Sequence, residues 1–388
     1  MTPRWATTAI FAVNGAAVGV WVAQIPWVQE RFDLSRSTIG LIILGMSISV
    51  ILALPFAGQA VVRHGSERMV LVGGVACVLA VNLPILAPAP LLVAAALLVF
   101  GGSTATMDVS MNSHGVSVEK ALGRPIMSSL HAGWAFGGMG GAGFVALCHA
   151  LGVEAHLATA IASALLLAAL LLSVRQIGHG SAAEGDDTPG FTLPARGVAL
   201  IAVLCFLVMI TEGAMADWSG LYLRQDLGAS AAVAALAYSF FTGGMTVGRL
   251  VGDAINARIG PVALLRGGAL LTGIPLGALL LVGEPVPALI GLFLVGLGVA
   301  NGVPLMFSAA GRQPDTAPGP GIAAVSSMGS LGFLAGPPIF GFIADAASLP
   351  WSLSLLILGA VAVFVLARRA AGEREPVPAD RPRPLPVP

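Results

Sequence analysis

Residues 197–223 read GVALIAVLCFLVMITEGAMADWSGLYL, and this stretch decides the fold class. A helix needs roughly 20 apolar residues to cross about 30 Å of hydrocarbon, and this run supplies them with no basic residue before Arg224. It reads as a membrane span that carries two acids, Glu212 and Asp217. The whole chain has the same character. A soluble domain is about a quarter charged, whereas these 388 residues are 10% charged and 56% hydrophobic, with a mean hydropathy of +0.91.

Working outward, runs of similar length separated by charge or by Gly/Pro clusters fall at 6–28, 37–61, 69–88, 91–113, 127–150, 156–174, 197–223, 231–256, 262–283, 286–309, 321–346 and 350–368. The expected fold is an all-α membrane protein of twelve transmembrane helices. The first run continues through Val28 with no small-x-small cleavage site before Pro26, so it is a retained helix and not a signal peptide. Only 175–196, with its glycines and Glu184, Asp186 and Asp187, is a sizeable internal linker. It separates six-helix bundles at 1–174 and 197–368. The end of the chain, 369–388, is Pro-rich and expected to be a disordered tail, with a P-x-x-P ligand as the alternative.

Charge sets the orientation. With a cytoplasmic N-terminus, alternate loops hold Arg63, Arg68, Lys120, Arg124, Arg175, Arg196, Arg258, Arg266 and Arg312, and the tail adds Arg368, Arg369, Arg374, Arg381 and Arg383. The other face keeps only Arg31, Arg36 and Arg224. The positive-inside rule then places both termini in the cytoplasm. Lys120 is the only Lys, which fits a GC-rich bacterial genome and hence a bacterial inner membrane.

The two bundles look alike at a nearly constant offset, the mark of a parallel internal repeat. Asn14-Gly15-Ala16 falls 198 positions before Glu212-Gly213-Ala214, and Ser128-Ser129 falls 198 before Ser326-Ser327. Arg63-His64-Gly65 falls 195 before Arg258-Ile259-Gly260.

Twelve spans in two repeated halves, with basic glycine turns after the second and eighth, resemble the Major Facilitator Superfamily over residues 6–368. The family's turn runs roughly G-x-x-x-D-R-x-G-R-K. Gly58, Arg63 and Gly65 fit it, while Val62 stands where the Asp belongs and Ser66-Glu67 replaces two basic residues. After the eighth span, Gly248-Arg249-Leu250-Val251-Gly252-Asp253 with Arg258 and Gly260 keeps an acid. The resemblance therefore implies gate residues Arg63, Arg249, Asp253 and Arg258. Asp108 and Asn112, then Arg124, then His131 with Gly137 are similar to the fucose-permease-like sugar transporters and related bacterial permeases. That branch would supply an acid in the first span, where this chain has Asn14.

An acid at the centre of a lone span costs about 2.5–3.5 kcal/mol, so intramembrane ionisable groups face a cavity or a partner. Glu212 sits deep in its span at the position that repeats Asn14, and an acid in a partly wet cavity can trade a proton near neutral pH. Ser219 lies seven residues on, as Trp21 does from Asn14, on the same helical face. Asp217 and Trp218 read first as interfacial residues, with a gate or stacking role open for Trp218. Thr104, Asp108 and Asn112 form one stripe, and Asp108 with His131 on the next span either relays a proton or closes a gate. Arg249 and Asp253 are spaced i, i+4 and neutralise one another on the simplest reading. Gln24, Trp134 and Asn301 complete the cavity candidates, although a lone amide also serves to join helices. Pro337-Pro338 is expected to bend the eleventh span.

Cys77, Cys148 and Cys205 lie in apolar runs without C-x-x-C or metal spacing, and no nucleotide motif appears, so no metal, cofactor or ATP-driven step is implied. Nothing like a nucleophile elbow supports a membrane enzyme. Zero net charge argues against a nucleic-acid partner. The partners expected are a small-molecule substrate, protons and the lipid bilayer, with the chain working as a monomer. The reading is proton-coupled uptake of a small polar solute such as a sugar, with proton-coupled export and solute sensing as alternatives.

Overall fold

The computed structural model describes residues 2–123, 126–177, 196–313 and 318–370. Arg124, almost all of the expected linker and the expected tail from 371 onward lie outside the described residues.

The described chain is helical. In order it forms α1 (Pro3–Phe32), α2 (Arg36–His64), α3 (Ser66–Ala80), α4 (Leu83–Leu86), α5 (Pro90–Leu122), α6 (Met127–Ala150) and α7 (Ala155–Val174). From residue 196 onward come α8 (Arg196–Leu221), a π-helical turn (Tyr222–Asp226), α9 (Ala231–Val282), α10 (Pro285–Val299), α11 (Gly302–Gly311), α12 (Pro318–Ala346) and α13 (Leu349–Ala370). Ten of the described helices are long and apolar enough to cross a membrane. Their outward faces carry bare apolar side chains such as Leu52, Phe56, Leu91, Ile274 and Leu281, a surface suited to lipid and not to water.

Two expected boundaries differ. The third and tenth runs are each divided, between α3 and α4 and between α10 and α11. The eighth and ninth runs, which together make up α9, are two helices that meet at a kink at Gly260, where the backbone leaves the helical region, as the sequence division between them anticipates. α12 continues as helix through Pro337 and Pro338, where Gly40 of α2 lies against the Pro337 backbone.

The helices sort into two groups. α1 packs on α6 and α7, and α5 on α2 and α3; α8 packs on α12, and α9 on α10 and α13. Two main seams join the groups, α2 against α12 and α6 against α9, and α1 also meets α8 and α9. Inside the first group, Gly15 allows α1 to touch α6, because a Cβ there would collide with the Trp134 carbonyl oxygen.

The repeat is visible in local geometry. Ser35 caps α2 by accepting from the Thr38 N–H at 3.2 Å, and Ser230 caps α9 by accepting from Val233 N–H at 3.3 Å. Thirty positions after each cap comes a glycine with the same backbone: Gly65 at φ 82°, ψ 149° and Gly260 at φ 79°, ψ 165°. Only glycine adopts this conformation without strain of about 1–3 kcal/mol. Gly260→Ala should therefore lower the melting temperature of the purified protein, while Gly267→Ala, in open space on the helix that follows the kink, should not.

Candidate functional site

Alternate helices run in opposite directions, so the end of α1 and the start of α2 lie at one end of the molecule, here the latched end, with the ends of α8 and α12 and the start of α9. The opposite end is the far end.

At the latched end the two groups are tied by polar contacts. The backbone N–H groups of Arg36 and Ser37, at the start of α2, donate to the Asp345 carboxylate of α12 at 3.0 and 2.8 Å. A carboxylate at a helix N-terminus meets both unpaired donors and the positive end of the helix dipole. The Arg36 guanidinium pairs with Asp226 at 2.8 Å, and Arg224 grips both oxygens of Glu30. Gln225 donates to Gln29 at 2.7 Å, and Ser239 donates to the Met139 carbonyl at 2.9 Å. The Arg36 Nε–H also donates to the Gln225 side-chain oxygen at 3.5 Å.

Deeper in, each group presents polar side chains. Asn14 accepts from Trp134 Nε1 at 2.8 Å, and its amide faces the Thr104 carbonyl at 3.5 Å. Asn112 donates to both the backbone and the side chain of Asp108, at 2.9 and 3.2 Å. In the other group, Glu212 Oε2 lies 3.9 Å from Nη2 of Arg249, while its Oε1 is buried without a partner. His131 is exposed, sits edge-on to Phe11 with ring centroids 5.4 Å apart, and lies within electrostatic reach of Arg249 across the α6–α9 seam.

Several expected pairings are absent. Among the described residues no hydrogen bond or ion pair joins Asp108 to His131; Asp108 is held by Asn112. Arg249 does not neutralise Asp253, which is exposed; its acid is Glu212, one helix away. Spacing of i, i+4 puts Arg249 and Asp253 on one face of α9, but that face also meets α8, and the shorter reach prevails. Arg63 and Arg258 are exposed, with no ion pair among the described residues.

Other candidates are used inside one group. Gln24 donates to the Ala155 carbonyl at 3.2 Å and to Thr159 at 3.1 Å, and His149 meets its oxygen at 3.3 Å. Trp21 is buried in the core. Ser219 and the Trp218 indole N–H are buried without a partner. Asn301 donates to the Gly248 carbonyl at 3.0 Å and lines a cavity of about 380 Å³ inside the second group. That cavity is mostly apolar and is lined by residues of the second group, with Thr211 and Gly248 in its wall next in sequence to Glu212 and Arg249. Since Gln24 is saturated, Gln24→Leu should destabilise the fold by about 1–3 kcal/mol through its orphaned partners. A melting curve would read this as a lower midpoint at unchanged solute affinity.

The comparison with known proteins decides the family, because the Major Facilitator Superfamily model matches residues 6–319 and 201–386. The chain belongs to the Major Facilitator Superfamily. An uncharacterised MFS-type transporter of Yersinia pestis is 34% identical over 93% of this chain and 94% of its own length. A mutant of the nucleoside transporter NupG superposes with a TM-score of 0.77 at 12% identity, over 95% of this chain and 99% of that one. The Escherichia coli fucose:proton symporter FucP gives 0.63 at 17%, over 95% and 98%. These structures share the fold. The protein is thus a multi-pass membrane transporter of this superfamily, a secondary transporter and not an enzyme.

For a Major Facilitator chain the latch matters most, and the sequence reading missed it. Arg36 and Arg224 stood out as rare charges on their face, yet their acids Glu30, Asp226 and Asp345 drew no notice. The available signal was that each lies at a helix end, where a charge can reach a neighbour without entering the bilayer. Tyr238 was also missed: it packs on Gly138 across the seam, within electrostatic reach of Glu212 and Asp217.

Proposed function

We propose that this chain moves a small polar solute across a bacterial inner membrane by proton-coupled alternating access between bundles 1–174 and 197–368. The one-sided latch carries the reading. Among the described residues, polar contacts tie the two helix groups at one end only, which is what a carrier requires in one of its two states.

The span count follows from the same rods. Dividing α9 at Gly260, joining α3 to α4 and α10 to α11, and adding α6 to the long apolar helices gives twelve crossings. Arg63, Lys120, Arg258, Arg312 and Arg368 fall at the far end, so by the positive-inside rule the far end is cytoplasmic and both termini lie there. The structure is then the inward-facing state. The sequence-derived inner gate residues Arg63, Arg258 and Asp253 are unengaged in that state, as an open gate would leave them.

Glu212 is the coupling group in this account, with Arg249 as the cation that stabilises its charged form and His131 facing Arg249 from the other bundle. Asn14, Trp134, Asp108 and Asn112 offer the opposite bundle's polar edge to the solute. Neutral amides and one indole suit a hydroxylated molecule, in keeping with the fucose and nucleoside named for the two structural neighbours. A thermal-shift screen of sugars, polyols and nucleosides on purified protein, followed by counterflow in proteoliposomes, tests the reading. A hit that exchanges supports it, and a hit that binds without exchanging favours a sensor.

A further inference from the structure

The 380 Å³ cavity in the second bundle has no part in the transport account. It lies among α8, α9, α10, α11 and α13, and its wall includes Gly267, where nothing lies within 4 Å of an added Cβ, beside Gly248, Gly268 and Gly298, which let neighbouring helices pack closely. The volume is within the roughly 300–1,000 Å³ of small-ligand pockets. Its polar side chains are few, and Asn301 is already bonded to Gly248. Val247, Val251, Ile255 and Ile259 form its edge on α9 and are exposed. The cavity is therefore open along an exposed apolar stretch of a membrane-length helix.

Its far-end rim is cationic. Arg258 adjoins the lining residue Ile259 and is exposed, and Arg266 stands between the lining residues Leu265 and Gly267. Arg266 Nε donates to the Phe364 carbonyl at 3.3 Å with its guanidinium 5.5 Å from the Phe364 ring, which fixes it beside the lining residue Val363. Exposed Arg368 and Arg369 follow at the end of α13. The acid nearest along α9 is the exposed Asp253, so the rim is net positive among the described residues.

An apolar cavity open to hydrocarbon, with arginines at headgroup depth, matches one kind of molecule. We propose that it binds an anionic phospholipid of the neighbouring leaflet, one acyl chain filling the cavity and the phosphate held by Arg258 and Arg266. Charge complementarity selects an anionic over a zwitterionic lipid, and the small-residue walls admit the chain.

Gly267 gives a clean probe, because nothing lies within 4 Å of a Cβ placed there. Gly267→Phe fills the space without touching the bundle core. Native mass spectrometry of the full-length protein with equal phosphatidylglycerol and phosphatidylcholine should show one retained phosphatidylglycerol adduct. Arg258→Gln should weaken that adduct roughly fivefold, as expected for one basic residue at a membrane surface. Gly267→Phe should abolish it, together with any rise in melting temperature that phosphatidylglycerol gives the wild type. Equal retention of the two lipids by wild type, or an adduct unchanged in both variants, would overturn the proposal. If Gly267→Phe fails to fold, the wild-type preference and Arg258→Gln, at an exposed position, still decide it.

Discussion

Glu212→Gln protein in proteoliposomes should exchange solute across the membrane yet fail to concentrate it. One pH unit across the membrane is worth about 1.4 kcal/mol per proton, enough for roughly tenfold accumulation at one proton per solute. Wild type should approach that ratio with the interior alkaline. The Gln variant keeps the shape of Glu212 but cannot release a proton, so its accumulation ratio should fall to about one while counterflow persists. The reason is geometric: Glu212 has a single weak ion pair, at 3.9 Å, and one buried oxygen with no partner. A carboxyl so incompletely paired is open to exchange with a proton or a solute hydroxyl. Gln variants that still concentrate solute would remove Glu212 from the coupling role.

The second large effect concerns the latch. Glu30→Arg sets a second cation against Arg224, and Asp345→Asn weakens the carboxylate that holds the start of α2. Each exposed pair contributes only about 0.2–1 kcal/mol. The set acts on one equilibrium, however, so the double variant should shift the closed-to-open ratio roughly tenfold or more. The native cysteines are all buried. A Ser239→Cys reporter in the α6–α9 seam would therefore read the opening as faster thiol labelling. Exchanging the charges, Glu30→Arg with Arg224→Glu, should restore slow labelling. If the single reversal labels no faster than the parent, these contacts do not hold the seam.

Run length made the membrane fold legible, since lipid demands about 20 apolar residues per helix and tolerates few charges among them. The repeat was legible where it left a residue signature, as at Gly65 and Gly260, and the backbone of both glycines explains why glycine stands there. Partnerships were not legible. Spacing reports which residues share a helix face, but not which helix that face meets. Arg249 was therefore assigned to Asp253 on its own helix when Glu212 lies across from it. Gln24 and Asn301 illustrate the same limit: an amide in a span bonds whatever backbone or side chain is nearest, and here each is used within one bundle. The latch was invisible for a different reason. Its charged residues sit at or beside helix ends in contacts 190 or more positions apart in sequence, where no local pattern operates.

The central claim is that the two bundles open alternately. Paired spin labels test it directly, with Asp33→Cys and Ala347→Cys at the latched end and Leu122→Cys and Arg312→Cys at the far end, all exposed positions. Distances would be measured in lipid with and without a solute identified by counterflow. The account predicts opposed changes, the latched-end distance growing as the far-end distance shrinks when the population shifts. Two distances that stay fixed, or that lengthen together, would contradict alternating access in this protein.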